Sequence, residues 1–250
     1  MSNASPDWGS YLASFHEQRA GVTEEILAHS RHHGLNAYQW VAQVLPAEAK
    51  VLDVACGSGP LHPLHSHAWV GLDTSVSEVS RARAGGRGPL VLGDATLCPF
   101  EERSFDAVVC SMALMLIQPL DVTLAELARV LRPGGLLAVL LPSNRPLSSG
   151  DRVRYTRLLL ALRRRLHYPN DQVLEDASSV FSGAGFVIVG DERRRFVCRV
   201  TTPEMAALCV TSLYLPGEPP ERIVAALEVA TSWVGKSLGV PLRRIVARAP

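Results

Sequence analysis

Residues 51–59, Val-Leu-Asp-Val-Ala-Cys-Gly-Ser-Gly, decide how this chain is expected to fold. An apolar run of strand length ends in a turn that contains Gly57 and Gly59, and glycine lets the backbone pass close to a ligand. A dinucleotide-binding turn would have a third glycine where this chain has His62. The segment therefore predicts a buried strand with a ligand at its end, and it weakens a nicotinamide interpretation.

Two more acidic residues stand at the ends of strand-like segments. Asp73 closes the next apolar run, 14 positions beyond Gly59, where a carboxylate can accept from both hydroxyls of a ribose. Asp94 follows the third run. Ligands of open α/β sheets bind beyond the carboxyl ends of the strands, so we expect Asp53, Asp73 and Asp94 to face one crevice.

From Lys50 onward, short apolar runs alternate with helix-length segments, which is typical of a doubly wound α/β domain. The predicted strands are residues 51–55, 68–72, 90–92, 107–110, 136–141, 186–189, 196–200 and 240–248. The predicted helices between them are residues 75–84, 112–116, 123–131, 152–166 and 172–182. We found no internal repeat or flexible linker, so residues 1–250 are predicted to form one domain.

Composition excludes several classes of protein. The 250 residues are 47% hydrophobic and 20% charged, which suits a sizeable core and excludes a disordered or low-complexity chain. A net charge of +1 gives no hint of a nucleic-acid partner. No apolar run approaches the ~18–20 residues that span a bilayer, residues 1–6 lack a signal-peptide pattern, and five cysteines are scattered. We expect a cytoplasmic protein with no membrane partner.

These motifs, in this order, resemble the class I S-adenosylmethionine-dependent methyltransferases, especially the group that includes the ubiquinone- and menaquinone-biosynthesis enzymes. The resemblance continues through Phe-Asp-Ala-Val-Val at 105–109 and Leu-Ala-Arg-Val-Leu-Arg-Pro-Gly-Gly at 127–135. It covers roughly residues 45–142, and residues 173–200 more loosely. It implies a Rossmann-like α/β fold: a mostly parallel seven-stranded sheet, helices on both faces and helical lid elements.

The resemblance also implies a cofactor, S-adenosylmethionine, with S-adenosylhomocysteine as its product. Asp53 and the backbone from Ala55 to Gly59 would hold the methionine part. Asp73 would bind the ribose hydroxyls, with Thr74 beside it.

The remaining implied contacts follow the third and fourth strands. Asp94 would accept from the adenine amino group, and Ala95 would offer its backbone. Ser111 and Met112 would line the pocket near the reactive methyl group.

Two helical regions are expected to cover the site. Residues 7–45 are rich in aromatic side chains and would form a lid, in which Tyr11 or Phe15 touches the cofactor or its access route. Within this lid, His16 is a candidate proton acceptor, because methylating a hydroxyl requires removal of one proton and histidine suits that task. A surface or capping histidine is the simpler alternative. Residues 203–237 form a helical insert that would complete the lid around the core at 46–200.

Other clusters favour structural interpretations. The spacing of His62, His65 and His67 does not suit one helical face, so we expect a solvated loop and no metal. The arginine runs at 163–165 and 193–195 are expected to face solvent, because few aromatic residues accompany them.

The segment between Gly59 and Gly71 departs from the family pattern. It is short and contains Pro60 and Pro63, so the first crossover helix is expected to be truncated.

The leading hypothesis is methylation of a small, partly apolar metabolite at O, N or C. After the fourth strand the chain reads Cys-Ser-Met-Ala at 110–113, unlike the Asn-Pro-Pro-Tyr type of nucleic-acid amino methyltransferases. Two alternatives stay open: an RNA base methyltransferase, and a non-catalytic cofactor-binding module. A homodimer is compatible with the sequence.

Overall fold

The apolar runs from Val51 onward form the parallel half of an eight-stranded sheet in a computed structural model that describes residues 7–65 and 68–250. The predictions for residues 1–6 and for His67 lie outside the described residues. The strands are β1 (Ser30–Arg31), β2 (Val51–Val54), β3 (Trp69–Asp73), β4 (Leu90–Leu92), β5 (Phe105–Ser111), β6 (Leu131–Pro142), β7 (Val187–Val200) and β8 (Lys236–Arg248).

The sheet order is β1-β7-β8-β6-β5-β2-β3-β4, with β2 through β6 mutually parallel. The strands β8, β7 and β1 then add antiparallel at one side. All four residues of β2 are buried, as expected for a strand covered on both faces. The predicted Rossmann-like α/β class is confirmed.

Helices flank the sheet in the described parts of the chain. They are α1 (Trp8–Gln18), α2 (Val22–His29), α3 (Ala37–Ala42), α4 (Val76–Ala84), α5 (Leu120–Val130), α6 (Ser149–Leu162), α7 (Asp171–Glu175), α8 (Ala177–Gly183), α9 (Pro203–Thr211) and α10 (Pro220–Thr231). Between β2 and β3 the described residues contain turns and short 3₁₀ segments such as His62–Leu64, and no α-helix. The truncated first crossover is therefore confirmed.

The predicted count of seven strands is wrong. The segments at 186–189 and 196–200 are parts of one strand, β7, which pairs with β8 from Val187 to Val200. The charged run between them hid this continuity, although its side chains are paired across the strands, as Asp191 is with Arg243. The additional strand is β1, whose two residues are too few to produce a sequence pattern.

The predicted helix at 112–116 is also wrong, because this segment forms turns. Met112 begins it in the left-handed region, with φ +59°. The Asn170 side-chain amide then donates to the Leu114 and Ile117 carbonyls at 2.9 and 2.6 Å. These carbonyls are satisfied by a side chain instead of by a continuing helix. The predicted helix at 172–182 is interrupted at Asp176 and becomes α7 and α8.

A buried carboxylate joins α6 to the antiparallel half of the sheet. Asp151 is fully buried and accepts from the Arg195 guanidinium at 2.6 and 3.1 Å, from the Gly239 N–H at 2.8 Å and from the Ser148 hydroxyl at 2.7 Å. Arg195 was expected to face solvent, and its partner here corrects that prediction. Burial alone would raise the pKa of Asp151, but the bonds from Arg195 and Ser148 hold it well below its usual range.

Replacing this carboxylate should destabilise the fold. Asp151→Asn removes the charge opposite Arg195, and we expect the free energy of unfolding to fall by about 2–4 kcal/mol in urea denaturation at pH 7. Arg154 lies 4.0 Å from the same carboxylate, so Arg154→Met is a matched control with a smaller expected effect. Equal losses of unfolding free energy in the two variants would contradict the stabilising role of the Asp151–Arg195 pair.

Candidate functional site

The carboxyl ends of the central strands open into a cleft of about 700 Å³. This volume lies in the range of small-molecule sites, ~300–1,000 Å³. Ten of the twelve site residues predicted from sequence line it: His16, Asp53, Ala55, Gly57, Asp73, Thr74, Asp94, Ala95, Ser111 and Met112. The other two are Gly59 and Tyr11.

The turn after β2 brings the backbone up to the cleft. Ala55 and Gly57 both adopt left-handed conformations, with φ +51° and +55°. A Cβ on Gly57 would have its nearest neighbour at 3.7 Å, so the backbone conformation, and not lack of space, favours glycine there. Gly59, with φ +74°, is packed against Trp69 and Arg87 and shapes the turn from beneath the cleft.

Asp53 is the most deeply buried acid of the cleft. It is 2% exposed, and its Oδ2 accepts from the Trp69 indole N–H at 3.2 Å. Burial raises the pKa of Asp53 to about 7; the Trp69 bond opposes this shift and the nearby charge of Asp73 adds to it. A cationic ligand would relieve the cost of ionising this carboxylate.

Asp73 is held by backbone donors on both of its oxygens. Oδ1 accepts from the Ser75 N–H at 2.8 Å, and Oδ2 accepts from the Gly57 N–H at 2.7 Å. Burial raises the pKa of Asp73, while these two bonds and the proximity of His16 partly offset that rise. Each carboxylate oxygen has a second lone pair, so a fixed pair of acceptors remains for a ligand with two adjacent hydroxyls.

Asp94 and Ala95 form the third side of the cleft, after β4. The N–H and hydroxyl of Thr96 both donate to Asp94 Oδ1 at 2.8 Å. Within the described residues, Oδ2 accepts no hydrogen bond, so it can accept one from a ligand.

Ser111 and Met112 border the cleft at the end of β5. The Ser111 hydroxyl oxygen is buried and has no hydrogen-bond partner among the described residues. Met112 has φ +59°, an uncommon conformation for a side chain of its size. An unpartnered hydroxyl and local backbone strain are both features that occur at ligand sites.

Sequence reasoning missed Glu78, on the first turn of α4. Glu78 is 3% exposed; both its oxygens accept from the Gly21 N–H at 3.0 Å, and Oε1 lies 3.0 Å from His16 Nδ1. Residues 75–78, Ser-Val-Ser-Glu, match a capping box, and Ser75 does cap the helix. The Glu78 carboxylate points instead to the segment joining α1 and α2. No sequence signal distinguishes these two uses of the same pattern.

Sequence reasoning also missed Glu24, which joins α2 to the turn after β2. Its carboxylate accepts from Arg87 at 2.8 and 2.9 Å and from the Ser58 hydroxyl. Burial would raise the pKa of Glu24, but the bonds from Arg87 and Ser58 lower it overall. Arg87 also donates to the Ser58 carbonyl at 2.6 Å, so one ion pair holds both α2 and the turn.

One face of α1 covers the cleft. Trp8, Leu12 and His16, spaced four residues apart, all line it. Tyr11 lies on another face of the helix, where its hydroxyl accepts from the Leu215 N–H at 2.7 Å. Phe15 packs against Tyr214, with ring centroids 4.8 Å apart. Neither Tyr11 nor Phe15 is among the residues that line the cleft, and contact of either with the cofactor or its access route stays a prediction.

The charges that line the cleft are almost all negative. Its acidic residues are Glu17, Glu24, Asp53, Asp73, Glu78 and Asp94. Among the described residues, neither lysine nor arginine lines it. Such a lining favours a cationic or neutral ligand over an anionic one.

Among the described residues, no group of three or more His, Cys, Asp or Glu side chains could hold a metal ion. None of the described helices is long and apolar enough to cross a bilayer.

Comparison with known families identifies the core. Residues 52–139 match a family model described as a methyltransferase domain. A demethylmenaquinone methyltransferase of Mycolicibacterium gilvum is 44% identical over 100 residues, which are 39% of this chain and 43% of that protein. One from Mycobacterium sp. is 43% identical over 102 residues, 38% of this chain and 44% of that protein. The chain thus spans less than half the length of these relatives.

Solved structures share the fold over nearly the whole chain. An S-adenosylmethionine-dependent methyltransferase from Thermotoga maritima has a TM-score of 0.53 and 16% identity, covering 96% of this chain and 98% of its own. The cyclase SpnF has a TM-score of 0.61 and 23% identity, covering 96% of this chain and 95% of its own. At such identities the likeness shows the fold alone.

The raised pKa of Asp53 predicts how stability depends on pH. Between the ordinary aspartate pKa and about 7, the unfolded chain loses this proton before the folded chain does, so stability falls as pH rises. Between pH 5 and pH 8, the free energy of unfolding should fall less in Asp53→Asn than in the unmodified protein. At pH 8 the variant should be the more stable of the two.

The exposed Asp121, at the start of α5, supplies the control for this experiment. Asp121→Asn should leave the pH dependence of stability as it is in the unmodified protein. Parallel pH profiles for Asp53→Asn and the unmodified protein would contradict a burial-raised pKa at Asp53.

Proposed function

We propose that this chain, which carries a class I S-adenosylmethionine-dependent methyltransferase domain, binds S-adenosylmethionine in the cleft and transfers its methyl group to a small, partly apolar acceptor at O, N or C. The product of the donor would be S-adenosylhomocysteine. The observation that carries the proposal is the meeting of Asp53, Asp73 and Asp94 in one cleft, at the ends of successive parallel strands.

The residues present fit this donor. Asp73 offers two fixed acceptors for ribose hydroxyls, and Asp94 Oδ2 can accept from an amino group. The buried Asp53 would be stabilised as a carboxylate by a neighbouring positive charge. The donor supplies a methyl group already activated on a positively charged sulfur, which suits an acidic cleft.

The chain's own contribution to the reaction is alignment and exclusion of water. Trp8, Leu12, Met112, Leu116 and Ile117 give the cleft an apolar portion beside the acids. Such a surface would hold an apolar acceptor in line with the methyl group while keeping water out. No side chain needs to form a covalent bond with either substrate.

The lid would come from two regions of the chain. Residues 7–45 contribute the face of α1, and residues 203–237 contribute Tyr214 to the lining. The relatives named as demethylmenaquinone methyltransferases support an apolar ring compound as the acceptor class. Since the match covers less than half of their length, this acceptor class belongs to the proposal.

Charge disfavours the RNA alternative. A phosphodiester chain would approach a cleft with six acidic lining residues and, among the described residues, no lysine or arginine. The non-catalytic cofactor-binding module stays the other alternative, because the fold by itself does not fix an activity: the cyclase SpnF shares it. Binding and turnover must therefore be measured separately.

We further propose a cytoplasmic location. The five cysteines, all in the described residues, are unpaired and buried, as suits a reducing compartment. A homodimer stays a prediction, and size-exclusion chromatography with light scattering would test it.

Titration calorimetry with S-adenosylmethionine and S-adenosylhomocysteine tests donor binding. Asp73→Ala removes both ribose acceptors and should weaken each ligand by about 1.5–3 kcal/mol, or roughly 10- to 150-fold. Asp121→Ala is the exposed control and should bind as the unmodified protein does. Unchanged affinity in Asp73→Ala would refute this site, and binding without methylation of any apolar acceptor would favour the non-catalytic alternative.

Gly57→Val tests the turn after β2. A branched side chain is strained at φ +55° and would occupy space beside the bound donor, so the loss of affinity should exceed that of Asp73→Ala. Circular dichroism should show that the variant stays folded. If the folded valine variant binds S-adenosylhomocysteine normally, residues 51–59 do not form the donor cradle.

A further inference from the structure

We propose that His16 binds the carboxylate of the donor's amino-acid part, and that Glu78 is the positioning residue that holds the imidazole for this contact. The inference rests on the proposed function. It assigns His16 to the donor and not to the acceptor.

The charge inventory of the cleft leads to this assignment. The donor has a carboxylate besides its positive sulfur and ammonium groups, and acidic residues predominate among the charged side chains that would surround it. His16 is the one side chain in the described lining that can carry a positive charge. Without His16, the donor's negative end would have no cationic partner among the described lining residues.

Much of the backbone of the turn after β2 is already engaged. The Cys56 N–H donates to the Leu72 carbonyl at 3.0 Å, the Gly57 N–H to Asp73 at 2.7 Å, and the Gly59 N–H to the Cys56 carbonyl at 2.9 Å. These three N–H groups cannot form the anion-binding cradle that glycine-rich turns provide in phosphate sites. A carboxylate bound at this turn would therefore need a hydrogen bond from a side chain.

His16 lies near the part of the cleft that would hold the ribose and methionine parts of the donor. Its partner Glu78 has Oε2 at 3.7 Å from the position of a Cβ on Gly57, so the carboxylate that His16 contacts lies against the turn after β2. The imidazole is also close enough to Asp73 to lower the pKa of that carboxyl. Both neighbours belong to the region that would hold the ribose and methionine parts.

Glu78 orients the ring. Nδ1 of His16 lies 3.0 Å from Glu78 Oε1, and Nδ1 must carry a proton to donate to this carboxylate. The other nitrogen, Nε2, is then left for a ligand, and in the imidazolium form it also donates. Glu78 is itself fixed by the Gly21 N–H, so the ring position depends on the start of α2.

The assignment has a consequence for the order of binding. Leu12 and Trp8 lie one and two turns before His16 on the same face of α1, and both line the cleft. A donor carboxylate that holds His16 would also hold these apolar side chains over the space for the acceptor. Donor binding should therefore precede and strengthen acceptor binding.

Calorimetry with two ligands that differ only in the carboxylate tests the contact. The pair is S-adenosylhomocysteine and its decarboxylated form, S-adenosyl-thiopropylamine. His16→Gln should weaken the binding of S-adenosylhomocysteine by about 10- to 30-fold, and the binding of the decarboxylated ligand by less than about twofold. His29→Gln, an exposed histidine substitution on α2, is the matched control and should change neither affinity.

Two more variants test the positioning role. Glu78→Gln keeps an acceptor for Gly21 but removes the charge opposite His16, so it should weaken only the carboxylate-bearing ligand, by less than His16→Gln does. His16→Arg restores a cation on α1 and should recover part of the preference for S-adenosylhomocysteine. Recovery by a cation distinguishes charge recognition from packing.

Three outcomes would contradict the role proposed for His16 or the proposed function. Equal weakening of both ligands in His16→Gln would mean a structural role and overturn the proposal. Unchanged binding of both ligands with loss of methylation would also overturn it, and would favour the proton-acceptor role predicted from sequence. If the unmodified protein binds neither ligand, the proposed function itself fails, which is a separate outcome from failure of the His16 assignment.

Discussion

The structure depends on one constraint: the central strands are parallel and buried on both faces. Parallel strands place all their carboxyl ends at one edge of the sheet, so residues far apart in sequence meet there. Asp53, Asp73 and Asp94 follow three such strands and are thereby brought into one cleft. The same burial that stabilises the sheet makes Asp53 and Asp73 expensive to ionise without a partner, and it raises the pKa of both.

Hydrogen bonds and ion pairs of two glutamates hold the N-terminal helices α1 and α2 against the sheet domain. Glu78 reaches from α4 to Gly21 and His16, while Glu24 reaches from α2 to Ser58 and Arg87. The helices α1 and α2 are thus held to α4 and to the turn after β2 by two carboxylates and not by apolar packing alone. A positively charged ligand would relieve the repulsion among the acidic residues of the cleft.

The misplaced predictions have physical causes of their own. Tyr11 was expected in the cleft because aromatic residues concentrate near the N-terminus, but composition does not say which helical face turns inward. Residues 112–116 have helical spacing, yet Asn170, more than fifty residues away, captures their carbonyls. Strand β7 was predicted as two strands because a charged segment lies in its middle. The strand continues through this segment because its charged side chains have partners on β8 and α6.

The sequence by itself determined the α/β class, the core strands, the truncated crossover and ten of the residues that line the cleft, because these depend on local periodicity and on short motifs at strand ends. Only the tertiary structure decided the roles of Glu78 and Glu24, the direction of Tyr11 and the place of His16 beside Glu78. Each of these follows from contacts between segments distant in the chain. A side chain's partner across such a distance is set by packing and burial, which no local pattern encodes.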